Sequence, residues 1–110
     1  MLRSAEGARR YNTLVTLTYS EKVVDEYGHA SYADAVDMAD VYASVARMSA
    51  VKTLQTFQQA DVIGLDIELR EPNVAFNGIR YQGHDVHFAE PEPADRGRIL
   101  KIKGWYQSDR

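Results

Sequence analysis

The residues best suited to chemistry are two histidines around an aspartate, His84-Asp85-Val86-His87, with His29 as the third imidazole of the chain. Imidazoles and carboxylates can bind zinc or pass protons, but a zinc site needs at least three protein ligands converging on one point. Residues three apart on a strand point to opposite faces, so His84 and His87 cannot share a metal unless Gly83 introduces a bulge. Paired carboxylates occur at Asp25-Glu26 and at Asp66 and Glu68. Acid–base catalysis needs such a pair in one pocket that drives the two pKa values apart, whereas an alternating strand places Asp66 and Glu68 on a wet face. The chain has no cysteine, which removes disulfides, thiolate metal sites and cysteine nucleophiles together. Neither a phosphate-cradling glycine loop nor a Gly-x-Ser-x-Gly elbow occurs. The expectation is a protein that is not an enzyme and uses no metal or cofactor.

A second chemistry gathers near the C-terminus, where Arg98, Lys101, Lys103, Trp105 and Tyr106 mix cations with aromatics. Lys101, Lys103 and Trp105 should share one strand face, as on a stacking platform for single-stranded nucleic acid or on an edge that charge protects from aggregation. The net charge of −3 opposes a general phosphate binder. Charge is also unevenly placed. Asp25, Glu26, Asp34, Asp37 and Asp40 crowd one stretch without Lys or Arg, and Arg96, Arg98, Lys101, Lys103 and Arg110 fill the end. An acidic loop on one copy can then attract a basic strand on another, or both can simply be solvated faces.

The elements that position these groups are mostly strands. A chain of 110 residues suffices for one modest core. Residues 1–11 read as a loose N-terminal arm and residues 12–110 as a single domain. No apolar run approaches the roughly 20 residues that cross a bilayer, and Arg3, Glu6, Arg9 and Arg10 leave no room for a signal-peptide core, so an intracellular, soluble protein is expected. Val15, Leu17 and Tyr19 alternate with Thr16 and Thr18 as a half-buried strand. A strand ending in Val23-Val24 runs into the turn Asp25-Glu26-Tyr27-Gly28. Residues 20–37 as a whole nevertheless lack sustained periodicity and read as a long loop, in which exposed Tyr27 and Tyr32 suit a protein contact.

A strand over residues 38–47 follows, with Val41, Ala43 and Val45 on one face. Ser49 stands where a helix N-cap belongs, ahead of Val51, Leu54 and Phe57 at helical spacing. Residues 50–60 are thus a short helix whose apolar side packs and whose other side presents Lys52, Gln55, Gln58 and Gln59 to solvent or a partner. Ile63, Leu65, Ile67 and Leu69 alternate with Gly64, Asp66, Glu68 and Arg70. Pro72 ends that strand, Asn77-Gly78 predicts a type I′ hairpin, and Gly83 predicts a bulge or kink before His84, Val86 and Phe88. Prolines in residues 90–97 should prevent pairing there. The last strand carries Leu100, Ile102 and Tyr106 inward. The sum is a mainly β chain, a small antiparallel β-barrel with one short α-helix and a long loop.

In this order the parts resemble the phage head–tail joining family, also called head-closure or stopper proteins, over residues 12–106. The carriers are Leu14-Val15-Thr16-Leu17-Thr18-Tyr19, the turn Asp25-Glu26-Tyr27-Gly28, Val41-Tyr42-Ala43-Ser44-Val45, the Ser49 helix, the alternating strand from Ile63, Phe76-Asn77-Gly78-Ile79-Arg80-Tyr81 and the final strand. The resemblance implies a structural virion protein whose copies form a homo-oligomeric ring, with the portal or its adaptor above and a tail protein below. Such a ring closes the filled head and docks the tail, and an acidic ring lets DNA pass without sequence-specific binding. It implies no membrane, assembly in the host cytoplasm and a final place at the head–tail junction. The residues expected at interfaces are Asp25, Glu26, Tyr27, Gly28, Tyr32, Lys52, Gln55, Gln59, Lys101, Lys103 and Trp105. A small nucleic-acid-binding barrel and a tail-side completion protein are the alternatives.

Overall fold

The computed structural model describes residues 11–108. The elements run β1 (Thr13–Tyr19), β2 (Lys22–Val24), β3 (Ala30–Tyr32), β4 (Val36–Arg47), α1 (Ala50–Phe57), β5 (Val62–Arg70), β6 (Gly78–Tyr81), β7 (His84–Phe88), β8 (Glu92–Ala94) and β9 (Ile99–Gln107). The strands β5, β4, β1, β6, β7 and β9 are neighbours in that order, all antiparallel. The last of them pairs back onto β5 from Gln107 opposite Val62 to Ile99 opposite Arg70, which closes a six-stranded barrel. Closure removes the unpaired edges that an open sheet would expose.

Inward positions follow the period of two. Val15, Leu17, Ala43, Leu65, Ile67, Leu69, Ile79, Val86, Leu100 and Ile102 form one buried cluster. The interior is therefore filled with side chains and is no channel. Tyr19, expected beside Val15 and Leu17, stays exposed because β1 leaves the barrel there, and Thr18 is buried against Gly78 instead.

The stretch expected as a long loop is a two-stranded ribbon. Tyr19 pairs with Val36 and Lys22 with Tyr32, so β2 and β3 prolong the β1–β4 ladder into solvent. The Ala33 N–H donates to the Glu21 carbonyl at 2.8 Å and joins the two ladders. Met38 is skipped in the register, so β4 bulges where the ribbon departs and begins at Val36. Every residue of 21–38 is exposed. With both faces wet, nothing imposes alternation on its sequence, and no periodicity announces its strands.

Two further expectations are corrected by pairing. The tight turn lies at Gln82-Gly83, both at positive φ (51° and 80°), between Tyr81 and His84, which face each other. This is the geometry of a type I′ turn, and Gly83 is part of it, not a bulge. Asn77-Gly78 instead leads into β6, because the Asn77 side chain clasps Ser20, accepting its N–H at 2.9 Å and donating to its carbonyl at 2.8 Å. The prolines of residues 90–97 also fail to prevent pairing, for Pro93 sits opposite Leu100 in β8. A proline is tolerated there because β8 has a neighbour on one side alone. β7 and β8 lie in line along β9, with the three residues 89–91 unpaired between them.

Ser49 caps α1 as expected, its Oγ accepting the Lys52 N–H at 3.1 Å. The helix lies against the outer face of β5 at Gly64, where an added Cβ would come within 2.7 Å of Thr53 Oγ1. Thr53 is consequently the buried helical residue. The apolar side expected to pack does not: Val51 and Leu54 are 66% and 50% exposed, and of the three Phe57 alone is half-buried. A small-residue notch on the barrel, rather than the helix's apolar stripe, sets its rotation.

Candidate functional site

The described residues hold no group of three His, Asp or Glu side chains placed to bind a metal. His84 stacks on Tyr106 with ring centroids 4.2 Å apart, and His87 stacks on Trp105 at 4.4 Å. The ladder through β6 and β7 is regular, so the two imidazoles keep opposite faces. The surface features that stand out are the ribbon and the outer face of β9.

Asp25 builds the ribbon tip. Its carboxylate accepts the N–H groups of Tyr27 at 2.9 Å and His29 at 2.8 Å, while its carbonyl accepts the Gly28 N–H at 3.0 Å. Gly28 supplies the positive φ of 83° that the turn requires. What the tip offers outward is Glu26 and Tyr27, the latter 78% exposed. Lower down, Val24 faces Ala30 and Lys22 faces Tyr32, with Val23 opposite Ser31. An isolated two-stranded ribbon is marginal in water, and one that also exposes valines and tyrosines has the composition of a contact surface. Asp25→Ala is expected to accelerate hydrogen exchange at the Tyr27 and His29 amides while leaving the melting temperature of the barrel unchanged.

The acidic stretch splits into committed and uncommitted carboxylates. Asp40 accepts the Thr16 hydroxyl at 2.7 Å. Asp37 takes a hydrogen bond from Arg80 at 2.6 Å, which holds its carboxyl below the usual range. Because the folded pKa is depressed, any stabilisation is present above the ordinary carboxylate range and is lost as pH falls through the folded value. The pair is exposed, so salt should weaken it. Arg80→Gln is expected to return the Asp37 carboxyl to an ordinary titration midpoint, as read by NMR of the side-chain carbonyl. Glu26 and Asp34 have no side-chain hydrogen bond or ion pair among the described residues.

On β9, Lys101, Lys103 and Trp105 do share the outer face. Their neighbours change what that face can do. Lys101 lies opposite Glu68 on one side and Glu92 on the other, and Lys103 lies opposite Asp66. Cations interleaved with carboxylates give a phosphate backbone no continuous basic track. Asp66 is already bridged by Lys52 at 2.9 Å, and Lys103 holds no ion pair among the described residues. Beside it, Phe57 of α1 and His87, Phe88, Ala89 and Trp105 line a mostly apolar slot of about 490 Å³.

The residues expected at interfaces thus fall on two surfaces. Asp25, Glu26, Tyr27, Gly28 and Tyr32 are on the ribbon, grown from β1 and β4. Lys52 and Gln55 belong to α1 and Lys101, Lys103 and Trp105 to β9; the helix ends at Phe57, short of the expected 60, because Gln58 turns left-handed, so Gln59 lies just beyond it. Gln55 is exposed and Gln59 half-buried. Sequence reasoning missed Phe57 and His87 as slot residues, since only the docking of α1 beside β9 brings them together. The expected N-terminal arm, residues 1–11, lies outside the described residues except for Tyr11. That residue is tied to the barrel, its hydroxyl donating to Glu68 Oε2 at 2.6 Å beneath the Arg70 guanidinium.

Fold and surface together define a closed antiparallel barrel with one external helix and a projecting ribbon. No protein-family model matches the chain, and no curated protein matches it. Solved structures do. A chain from the virion of a native gene transfer agent particle is similar at a TM-score of 0.67 and 19% identity, over 88% of this chain and 94% of that one. The solution structure of protein SF1141 from Shigella flexneri 2a is similar at a TM-score of 0.62 and 16% identity, over 92% of this chain and 96% of that one. At these identities the likeness establishes the shared fold.

Proposed function

We propose that the chain is a structural virion component of a tailed phage or prophage, forming a ring at the head–tail junction that closes the portal–adaptor complex after DNA packaging and docks the tail. The observation that carries the reading is an exposed ribbon, residues 21–33, on a barrel whose fold recurs in a virion chain. A ribbon that packs on nothing of its own serves a molecule that has neighbours, and a barrel filled with side chains leaves any DNA passage to the space between copies. The net charge of −3 suits a ring that DNA traverses without adhering. No catalytic residue is assigned. A tail-side completion protein would use the same surfaces and differs in its neighbour alone. Nucleic-acid binding by β9 is disfavoured by the carboxylates opposite Lys101 and Lys103.

The test is a null mutation of the gene in the phage or prophage that carries it. DNA-filled or DNA-leaking heads beside unattached tails are expected in electron micrographs, with the chain detected by mass spectrometry in wild-type particles. Normal particle yield from the null, or absence of the chain from purified particles, would overturn the assignment.

A further inference from the structure

We infer that the ribbon tip of one copy docks in the slot between α1 and β9 of a second copy. The inference rests on the reading of the chain as a ring-forming part and names the contact that builds the ring. Three observations converge on it.

The first is position. In the closed order β5, β4, β1, β6, β7, β9, the strand β1 that launches the ribbon lies diametrically across the barrel from β9. Residues 20–27 span about 25 Å at the rise of an extended chain, so the tip is carried well clear of its own barrel. A donor surface and an acceptor surface on opposite sides of one molecule associate head to tail, and repetition with a closing rotation gives a ring.

The second is shape. The tip presents Tyr27, 78% exposed, and the slot is an apolar recess of about 490 Å³ walled by Phe57, Phe88 and the stacked pair His87–Trp105. An aromatic anchor entering an aromatic recess is how compact protein contacts concentrate their affinity.

The third is charge. Glu26 beside Tyr27 has no ion partner among the described residues, and neither has Lys103 at the slot, whose cross-strand neighbour Asp66 is bridged by Lys52. An unpaired acid next to the anchor and an unpaired base next to the recess fix which way the tyrosine enters.

Because the chain has no cysteine, the contact can be trapped by engineered ones. Tyr27→Cys and Ala89→Cys, made in separate full-length chains and mixed at high concentration under mild oxidation, should give a reducible heterodimer in excess of either homodimer. The double variant should give a ladder of multimers. Glu26→Lys or Lys103→Glu alone should lower the yield severalfold, and the two in opposite partners should restore it. These positions are exposed, so folding is not at risk, and circular dichroism checks it. Random pairing, or yields indifferent to the charge swap, overturns the docking. So does cross-linking of Tyr27→Cys to some other virion protein in place of a second copy. Detection of the chain in purified particles stands or falls separately, so failure of the docking is distinguishable from failure of the virion assignment.

Discussion

Leu69→Ala is expected to destabilise the barrel by about 3–4 kcal/mol, whereas Leu54→Ala should change stability by less than about 0.5 kcal/mol. Leu69 has no exposed surface and sits in β5 between Ala43 of β4 and Leu100 of β9. Removing its isobutyl group opens a void that a closed ring of strands cannot collapse to fill, so a cavity cost adds to the lost burial. Against the roughly 5–15 kcal/mol that holds a domain of this size together, that is a large fraction. Leu54, half exposed on the outer side of α1, leaves no comparable void. Urea unfolding followed by the fluorescence of Trp105, the single tryptophan, measures both variants. Equal losses would show that α1 packs through its apolar stripe after all.

That contrast marks where the sequence is legible. β1, β5 and β9 each have one dry and one wet face, and the alternation of Leu65, Ile67 and Leu69 with Asp66 and Glu68 is the direct imprint of that environment. α1 could be placed from Ser49 but not oriented, because its rotation depends on Gly64 of another element opposing Thr53. The hairpin turn went to Gln82-Gly83 because Asn77, the stronger local signal, is engaged by Ser20 far away in sequence. For the candidate site, period two correctly put Lys101, Lys103 and Trp105 together. The carboxylates that temper them come from β5 and β8, through registers no single segment encodes.

Excising the ribbon is the second large effect. Replacing residues 22–32 by a short Asn-Gly turn should leave the melting temperature within about 3 °C, since the segment buries nothing against the barrel. On the proposed function, the shortened chain should form no ring with the portal–adaptor complex, as judged by electron microscopy at protein excess. Rings formed by the shortened chain would dismiss the ribbon as an assembly element. Unfolding of the shortened chain would show that the ribbon supports the β1–β4 ladder from outside.

The closure of β5 onto β9 also governs when this protein can fold. The seam joins Val62 to Gln107 and Arg70 to Ile99, so one of its two strands is made after every other described strand. Until β9 arrives, Leu65, Ile67 and Leu69 face an unfinished interior, and both β5 and β7 keep an open edge. Contacts this distant in sequence carry a high loop-closure cost before they stabilise anything, which makes barrel formation slow and late. Translation therefore delivers an open, sticky sheet before it delivers a barrel, and a chain stalled short of Ile99 is a candidate for aggregation or chaperone capture rather than a partly working part.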